Sequence, residues 1–220
     1  MVSRTQQEKG RSATVAALFV ATGGCYFGLP DVDPWDQARD AQLYAGPWPV
    51  VAHPPCARWC RLAKFVESRG GEAVGNDRGT FASALASVRR WGGVLEHPAW
   101  SIAWGVHELP APPSRGWSQC LWEPGWVCEV SQAAYGHRAP KLTWLYYVGD
   151  APPPPLDWSR PATTAVVSLC SKRGDGTSVR RYLTGEVERL SVRERNATPP
   201  AFRDLLLATA RSAREVRHVG

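Results

Sequence analysis

The sequence has no long hydrophobic run, and this absence excludes one class of protein. No segment holds about eighteen consecutive apolar residues, the length that a helix needs to cross a bilayer. The first apolar stretch, Ala13 to Val20, is short and leads into Gly23-Gly24 rather than into a small-residue cleavage site. We therefore expect no membrane span and no signal peptide, and a cytoplasmic protein whose six cysteines are free thiols.

The cysteines also lack the spacing of a zinc site. Cys56 and Cys60 have three residues between them, and Cys120 and Cys128 have seven, whereas C-x-x-C pairs are the usual pattern. The zinc-deaminase pattern fails as well, because the sequence holds Glu-His where that pattern has His-x-Glu. We expect no metal ligands, and keep a zinc-dependent nucleic-acid enzyme or binding module as a minor alternative.

The composition is that of a globular protein with a mild preference for polyanions. Hydrophobic residues make up 44% and charged residues 21% of the 220 residues. The net charge of +6 favours a nucleic-acid partner, because basic side chains that neutralise phosphates release counterions. Eleven tryptophans are present, and five of them fall between Trp100 and Trp126, where they could pack or stack on bases.

Hydrophobic patterning predicts strands that alternate with helices. The predicted strands are Thr14–Ala21, Pro49–Ala52, Val94–Glu96, Leu142–Val148 and Thr163–Leu169; the predicted helices are Asp36–Ala45, Arg78–Trp91 and Ala201–Arg214, the last capped by Thr198. Residues 1–12 are expected to be a disordered basic tail and residues 13–220 one domain. Within that domain we expect an irregular Trp-rich insertion over the site at about residues 100–130, and a basic loop at Lys172–Ser178 that could contact phosphates. This rhythm indicates an α/β fold with a parallel sheet.

Three of the predicted strands end in residues that carry chemistry. Thr22-Gly23-Gly24 follows the first strand, His-Pro-Pro-Cys at 53–56 follows the second, and Glu96-His97-Pro98 ends the third. Ligands of open parallel sheets bind beyond the carboxyl ends of the strands, so a glycine turn, a thiol and a carboxylate are expected to converge there. Two prolines before Cys56 favour a rigid exposed loop over a buried core position.

The order of these segments resembles the cytosine-5 DNA methyltransferase family. Four segments carry the resemblance: Leu18-Phe19 with Gly23-Gly24 and Gly28-Leu29, Pro49–Cys56 at the nucleophile loop, Val94–Pro98 at the glutamate motif, and Gln132 with Tyr135-Gly136-His137 and Lys141-Leu142-Thr143. The last segment looks like the form seen in short phage-type members. The acidic segment Asp31-Val32-Asp33-Pro34 comes directly after the glycine turn, about a helix earlier than in the family.

The resemblance implies a Rossmann-like methyltransferase-type fold, a mostly parallel sheet with flanking helices. It implies DNA modification: transfer of a methyl or related one-carbon group from S-adenosylmethionine to the 5-position of a pyrimidine, foremost cytosine in DNA. Cys56 would add to the ring's 6-carbon, Glu96 would hold a proton against ring N3, and Arg138 would assist the ring. A base in a duplex would have to be flipped out.

The resemblance also implies two sets of binding residues. The cofactor would contact Phe19, Thr22, Gly23, Gly24, Asp31, Asp33 and Pro54. The substrate would contact His53, Pro55, Arg58, His97, Tyr135, His137 and Lys141. Two alternatives stay open at this stage: a non-catalytic, methyltransferase-derived nucleic-acid-binding protein, and a modifying enzyme that acts on free pyrimidine nucleotides.

Overall fold

A computed structural model describes residues 14–166, 170–172, 178–180 and 188–213. The predicted tail at residues 1–12 lies outside the described residues, as does most of the predicted basic loop Lys172–Ser178. Seven strands form the central sheet: β1 (Val15–Leu18), β2 (Val32–Trp35), β3 (Val50–Ala52), β4 (Gly93–Pro98), β5 (Ser118–Gln119), β6 (Trp126–Ser131) and β7 (Leu142–Val148). Their spatial order is β2-β1-β3-β4-β7-β6-β5.

The sheet is mixed, with a parallel half and an antiparallel half. β2, β1, β3 and β4 pair in parallel, and β7, β6 and β5 continue the sheet in antiparallel pairs. Only ten residues connect β6 to β7, which is short for the crossover that a parallel pair needs, and the two strands accordingly pair antiparallel. The α/β class is as predicted, and the expected parallel sheet is found in the half that begins the chain.

Five helices accompany the strands in the described residues: α1 (Arg61–Glu67), α2 (Thr80–Trp91), α3 (Ile102–Val106), α4 (Val192–Asn196) and α5 (Pro200–Ser212). α2 and α5 cover opposite faces of the parallel half. Side chains alternate along a strand, so Ala16 and Leu18 of β1 pack in the cluster with α2, while Val15 and Ala17 pack in the cluster with α5. The parallel half is therefore buried on both faces, as its continuous apolar sequences indicate.

Most predicted elements are confirmed. The strands predicted at Thr14–Ala21, Pro49–Ala52, Val94–Glu96 and Leu142–Val148 correspond to β1, β3, β4 and β7, and the helices predicted at Arg78–Trp91 and Ala201–Arg214 correspond to α2 and α5. Of the predicted strand Thr163–Leu169, β8 (Ala165–Val166) pairs in parallel with β11 (Glu188–Arg189), and the remainder lies outside the described residues. β9 (Cys170–Lys172) and β10 (Ser178–Arg180) form an antiparallel pair.

The predicted helix Asp36–Ala45 is wrong. Only one 3-10 turn, Ala41–Leu43, forms there, and the strand β2 just before it was missed. Pro34 interrupts the apolar pattern of β2, and proline is tolerated in this strand because β2 lies at the edge of the sheet. The connection from β1 to β2, residues 19–31, contains no helix. The acidic segment after the glycine turn is therefore largely a strand.

The Trp-rich stretch is regular in part, and only its first residues, which follow β4 directly, lie near the carboxyl ends of the parallel strands. It contains α3, β5 and the start of β6, and the β5–β6 turn carries the exposed side chains of Leu121 and Trp122. Trp126 pairs with Tyr147, beside the amino end of β4, so this turn lies at the opposite end of the sheet from the carboxyl ends of the parallel strands. No helix within the described ranges is long and apolar enough to cross a membrane.

Candidate functional site

A large cavity of about 530 Å³ lies at the carboxyl ends of β1, β3 and β4. It is bounded by the loop after β1, by the His-Pro-Pro-Cys loop after β3, by Glu96 on β4, and by the end of α4. Its lining residues are Phe19–Ala21, Gly24–Tyr26, His53–Cys56, Glu96, Pro98, Lys141, Arg193 and Asn196–Thr198. Thiol, carboxylate and glycine turn therefore converge as predicted.

Glu96 is held by a chain of hydrogen bonds that starts at the glycine turn. Tyr26 Oη lies 2.8 Å from His53 Nε2, and His53 Nδ1 lies 2.9 Å from Glu96 Oε2. Burial raises the pKa of Tyr26 well above its ordinary value, so the phenol keeps its proton. We therefore assign Tyr26 as the donor to Nε2, which leaves Nδ1–H to donate to the carboxylate.

The second oxygen of Glu96 is bound from the antiparallel half of the sheet. Gln132 Nε2 donates to Glu96 Oε1 over 3.2 Å and to Thr143 Oγ1 over 2.8 Å. Gln132 is 1% exposed, so its amide has little freedom to turn. His53, which follows β3, and Gln132, which follows β6, thus fix the orientation of one carboxylate.

The charge state of Glu96 follows from these neighbours. Burial opposes ionisation, but the hydrogen bond from His53 outweighs it, and the charges that His53, Lys141 and His97 carry in acid add to its effect, so the pKa of Glu96 is lowered to about 2. Its side chain is 12% exposed. Glu96 is consequently an oriented carboxylate at neutral pH.

Cys56 and Lys141 complete the reactive part of the large cavity. Burial raises the pKa of the Cys56 thiol, the charge of Glu96 raises it further, and Lys141 opposes both. Burial lowers the pKa of Lys141, while the charges of Glu96 and Cys56 act against that decrease. Lys141 lines the same cavity as both groups, and its ammonium donates to the carbonyl oxygen of Ala197 over 3.4 Å. The resting thiol is protonated, with a carboxylate and a cation beside it.

A small cavity of about 150 Å³ adjoins the large one at Cys56 and Pro98. It is lined by Cys56, Trp59, Cys60 and His97–Ser101. Trp59 is held in place because its indole N–H donates to Asp77 over 2.8 Å, and Asp77 also accepts the N–H of Phe81 in the first turn of α2. His97 belongs to this cavity and does not line the large one.

The structure brings together some of the predicted site residues and separates others. Cys56, Glu96, Phe19, Gly24, His53, Pro54, Pro55 and Lys141 line the large cavity, and His97 lines the small one. Thr22, Gly23, Asp31, Asp33, Arg58, Tyr135, His137 and Arg138 do not line either of these two described cavities. The reasons differ from residue to residue.

Arg138 is the most important correction. Its guanidinium pairs on the surface with the carboxylates of Glu188 and Glu194, so it does not assist the ring as predicted. Arg58 likewise pairs with Glu72. Of the basic side chains predicted for the site, Lys141 is the one beside Cys56 and Glu96.

The other residues away from the cavities have structural roles. Tyr135 Oη accepts the N–H of Asp157 over 2.7 Å, and His137 Nδ1 lies 2.8 Å from the carbonyl oxygen of Ala139. Thr22 donates to Asp36 Oδ2 over 2.7 Å and so joins the glycine turn to the carboxyl end of β2. Gly23 supplies a turn with a φ of 65°, which glycine adopts without strain.

The resemblance implies that the site binds S-adenosylmethionine, but the residues present do not fit this cofactor. Asp31 pairs with Arg211 at 2.5 Å, and Asp33 pairs with Arg39 at 2.5 Å and accepts the Trp35 indole N–H. Neither acidic side chain reaches the large cavity, whose one described lining carboxylate, Glu96, is already bound on both oxygens. A ribose diol therefore finds no free carboxylate among the described lining residues.

Sequence reasoning missed three contributors to the site. Tyr26 follows the glycine turn and begins the chain of bonds to Glu96, and Arg193 and Asn196 come from α4 near the other end of the sequence. α4 has a readable signal, because Ser191 and Glu194 have the Ser-x-x-Glu spacing of a capping box and form one. Because α4 is far from the strands in the sequence, its position beside the large cavity could not be predicted.

Comparisons with known proteins identify no relative. The chain matches no protein-family model, no curated protein and no solved structure. The described residues also hold no group of three or more histidine, cysteine, aspartate or glutamate side chains that could bind a metal ion.

Replacement of Tyr26 by phenylalanine tests the chain of hydrogen bonds. The change leaves His53 Nε2 without its donor in a part-buried position, so we expect a loss of about 1–3 kcal/mol in the free energy of unfolding. Urea unfolding of both proteins measures this difference. Equal stability of Tyr26→Phe and wild type would contradict the assignment.

Acid should destabilise the protein through His97. Burial lowers the pKa of His97 to about 4 from an ordinary value of 6.5, so the unfolded chain binds a proton more readily than the folded one. The contribution is complete above about pH 6.5 and is lost as the pH falls towards 4. We expect about 2 kcal/mol less stability near pH 5 than near pH 7 from this residue. His97→Phe should remove that part of the loss in urea unfolding; an unchanged pH dependence argues against it.

Proposed function

We propose that this protein adds Cys56 covalently to the 6-carbon of a pyrimidine, foremost cytosine in DNA, and thereby prepares the 5-carbon for transfer of a methyl or related one-carbon group. The observation that carries the proposal is the joint lining of one cavity by Cys56, Glu96 and Lys141, with the carboxylate oriented by His53 and Gln132. These are the groups that the addition needs.

The proton balance of the addition closes within the site. The sulfur–carbon bond forms at the 6-carbon as the electron pair of the 5,6 double bond moves through the ring towards N3. The thiol loses its proton in this step, and ring N3 gains one. Glu96 is ionised at rest and its low pKa makes it a weak base, so it relays the proton in concert with the attack: it takes the thiol proton as N3 becomes basic and passes it to N3, and no outside acid is required.

Lys141 stabilises the negative charge that passes from sulfur to the ring. Its charge lowers the pKa of Cys56, against the effects of burial and of Glu96, and Lys141 lines the same cavity as Glu96. A cation in a partly buried site acts more strongly than one in water. Lys141 therefore takes the role that the resemblance assigned to Arg138.

The completed reaction returns the nucleophile. The 5-carbon of the adduct is electron-rich and bonds to a one-carbon electrophile, whose carrier keeps the electron pair of the bond that breaks. The hydrogen at the 5-carbon then leaves as a proton, the sulfur–carbon bond breaks to release the thiolate, and the proton on ring N3 returns through Glu96 to the sulfur. Because the lining residues do not fit S-adenosylmethionine, we derive no step through it. A Rossmann-like methyltransferase origin remains part of the proposal, supported by the glycine turn after β1 and the nucleophile loop after β3.

Hydrogen exchange tests the proposal without any knowledge of the donor. The adduct can take a deuteron from solvent at its 5-carbon and then eliminate, so cytosine exchanges its 5-hydrogen in deuterated water. Single-stranded DNA, duplex DNA and deoxycytidine monophosphate serve as separate substrates, and mass spectrometry of the recovered nucleosides reads the exchange. We expect exchange from DNA that depends on the protein. Exchange from the monophosphate alone would favour the free-nucleotide alternative, and none from any substrate would favour a non-catalytic protein.

A further inference from the structure

The small cavity is not used by the proposed reaction, although Cys56 lies in its wall. It shares only Cys56 and Pro98 with the large cavity. Glu96 and His97 are consecutive residues of β4, so their side chains leave the strand on opposite sides. Glu96 consequently serves the large cavity and His97 the small one. The target ring, which needs Glu96, belongs in the large cavity.

His97 is a buried polar side chain that lacks a bonding partner. It is 1% exposed, its ring lies near-parallel to Trp104, and it meets Phe81 edge to face at a centroid distance of 5.1 Å. The carbonyl of Pro55 lies nearby, but neither ring nitrogen forms a hydrogen bond of normal geometry with another described residue. Buried polar groups of this kind are rare, and His97 lines the small cavity. Both ring nitrogens are closed to solvent in this structure, so a ligand in the cavity pairs with one of them only after the ring turns towards it.

Trp100 gives a second, independent indication at the same cavity. It has a φ of 61°, in the left-handed region that bulky side chains avoid, and it is 52% exposed. Strained residues persist where the surrounding structure enforces them, commonly at ligand sites. A half-exposed indole among the lining residues offers a flat surface on which a base can stack.

We propose that the small cavity binds the base next to the target pyrimidine on the same DNA strand. The inference rests on the proposed function and specifies its substrate. A cavity of about 150 Å³ accommodates one six-membered ring, as benzene in an apolar cavity shows. The neighbour is therefore a pyrimidine, stacked on Trp100 with its polar edge towards His97. Because Cys56 and Pro98 line both cavities, the cavities are adjacent, and consecutive bases of one strand can occupy them.

Trinucleotides with a central cytosine test this subsite. One neighbour is thymine, adenine or an abasic sugar, on the 5′ side in one series and on the 3′ side in the other, and the remaining position is abasic. Thymine carries a methyl group at its 5-carbon, so deuterium exchange reports the cytosine alone. On one side we expect thymine to raise the exchange rate at least about tenfold over an abasic sugar, and also over adenine.

Two variants connect the preference to the cavity. Trp100→Ala removes the stacking surface, and His97→Phe keeps the aromatic packing but removes the ring nitrogens; each should bring the thymine-to-abasic rate ratio close to one. The ratio cancels any general loss of activity. Exchange at equal rates with thymine, adenine and abasic neighbours overturns the subsite and leaves the proposed function standing. An absence of exchange from every substrate, long DNA included, overturns the proposed function and the subsite with it.

Discussion

Replacement of Cys56 by alanine is expected to abolish exchange of the cytosine 5-hydrogen, a decrease of at least roughly a thousandfold. The reason is that every later step starts from the sulfur–carbon bond, and no other described thiol combines a place on the large cavity with charge coupling to both Glu96 and Lys141. Cys25 lines the same cavity, but its pKa responds to Arg203 and Asp204 instead.

Cys120→Ala is the matched control for this substitution. Cys120 is a buried free thiol in the antiparallel half of the protein and lines neither of the two cavities described. The control therefore loses the same atoms at a distance from the chemistry, and its exchange rate should stay near that of wild type. Wild-type exchange by Cys56→Ala would remove Cys56 from the mechanism.

Glu96→Gln should lower the same rate by roughly a hundredfold to a thousandfold. Glutamine has almost the same shape and keeps one oxygen that can accept from either His53 or Gln132, while its NH2 group faces the other donor. It cannot take the thiol proton and pass it to ring N3. The exchange rate at several pH values measures the effect. A carboxylate that acts only by holding its neighbours in place would instead change stability and leave the rate largely intact.

A second buried carboxylate provides the control for this variant. Glu129 of β6 is 8% exposed, accepts the Trp144 indole N–H over 3.0 Å and pairs with Arg160 at 2.6 Å. Glu129→Gln should affect the free energy of unfolding, because it weakens a charge-assisted pair, without a comparable decrease in exchange. Equal losses of activity in the two variants would indicate general damage rather than a role for Glu96 in proton transfer.

The parallel half of the fold could be predicted because its sequence signals are local. β1, β3 and β4 are short apolar runs, each bounded by glycine or proline, and α2 has helical spacing that ends at Gly92. β2 could not be recognised, since Pro34 and Asp33 disguise a strand whose position depends on the edge of the sheet. Local propensity was overridden there by pairing with β1.

Some residues of the site could likewise be predicted from the sequence, and others could not. Cys56 and Glu96 could be placed at one edge because both follow directly from strand ends. The choice between Arg138 and Lys141 depended on which direction each side chain takes after β6, and nothing local in the sequence decides that. The carboxylates of Glu188 and Glu194, about fifty residues later in the chain, pair with Arg138 on the surface, so Arg138 does not line the site.

The Glu-His-Pro motif also could not show that Glu96 and His97 line different cavities. Treated as one segment, Glu-His-Pro suggests a single site, but consecutive strand residues face opposite ways. The structure therefore shows two cavities where the sequence indicated one cluster. Asp31 and Asp33 were wrongly predicted to bind a cofactor, because the sequence does not show that each pairs with an arginine. Asp31 pairs with Arg211 and Asp33 pairs with Arg39.

The most direct test of the account is covalent capture of a pyrimidine by Cys56. DNA that carries pyrimidin-2-one in place of cytosine lacks the electron-donating amino group, so its 6-carbon accepts a thiolate more readily and the adduct is retained. A pool of such strands with all neighbouring bases is incubated with the protein, and intact and peptide masses are measured. We predict a single adduct, located on Cys56 and absent from Cys56→Ala. An unmodified Cys56, or an adduct on another cysteine, would contradict the central claim.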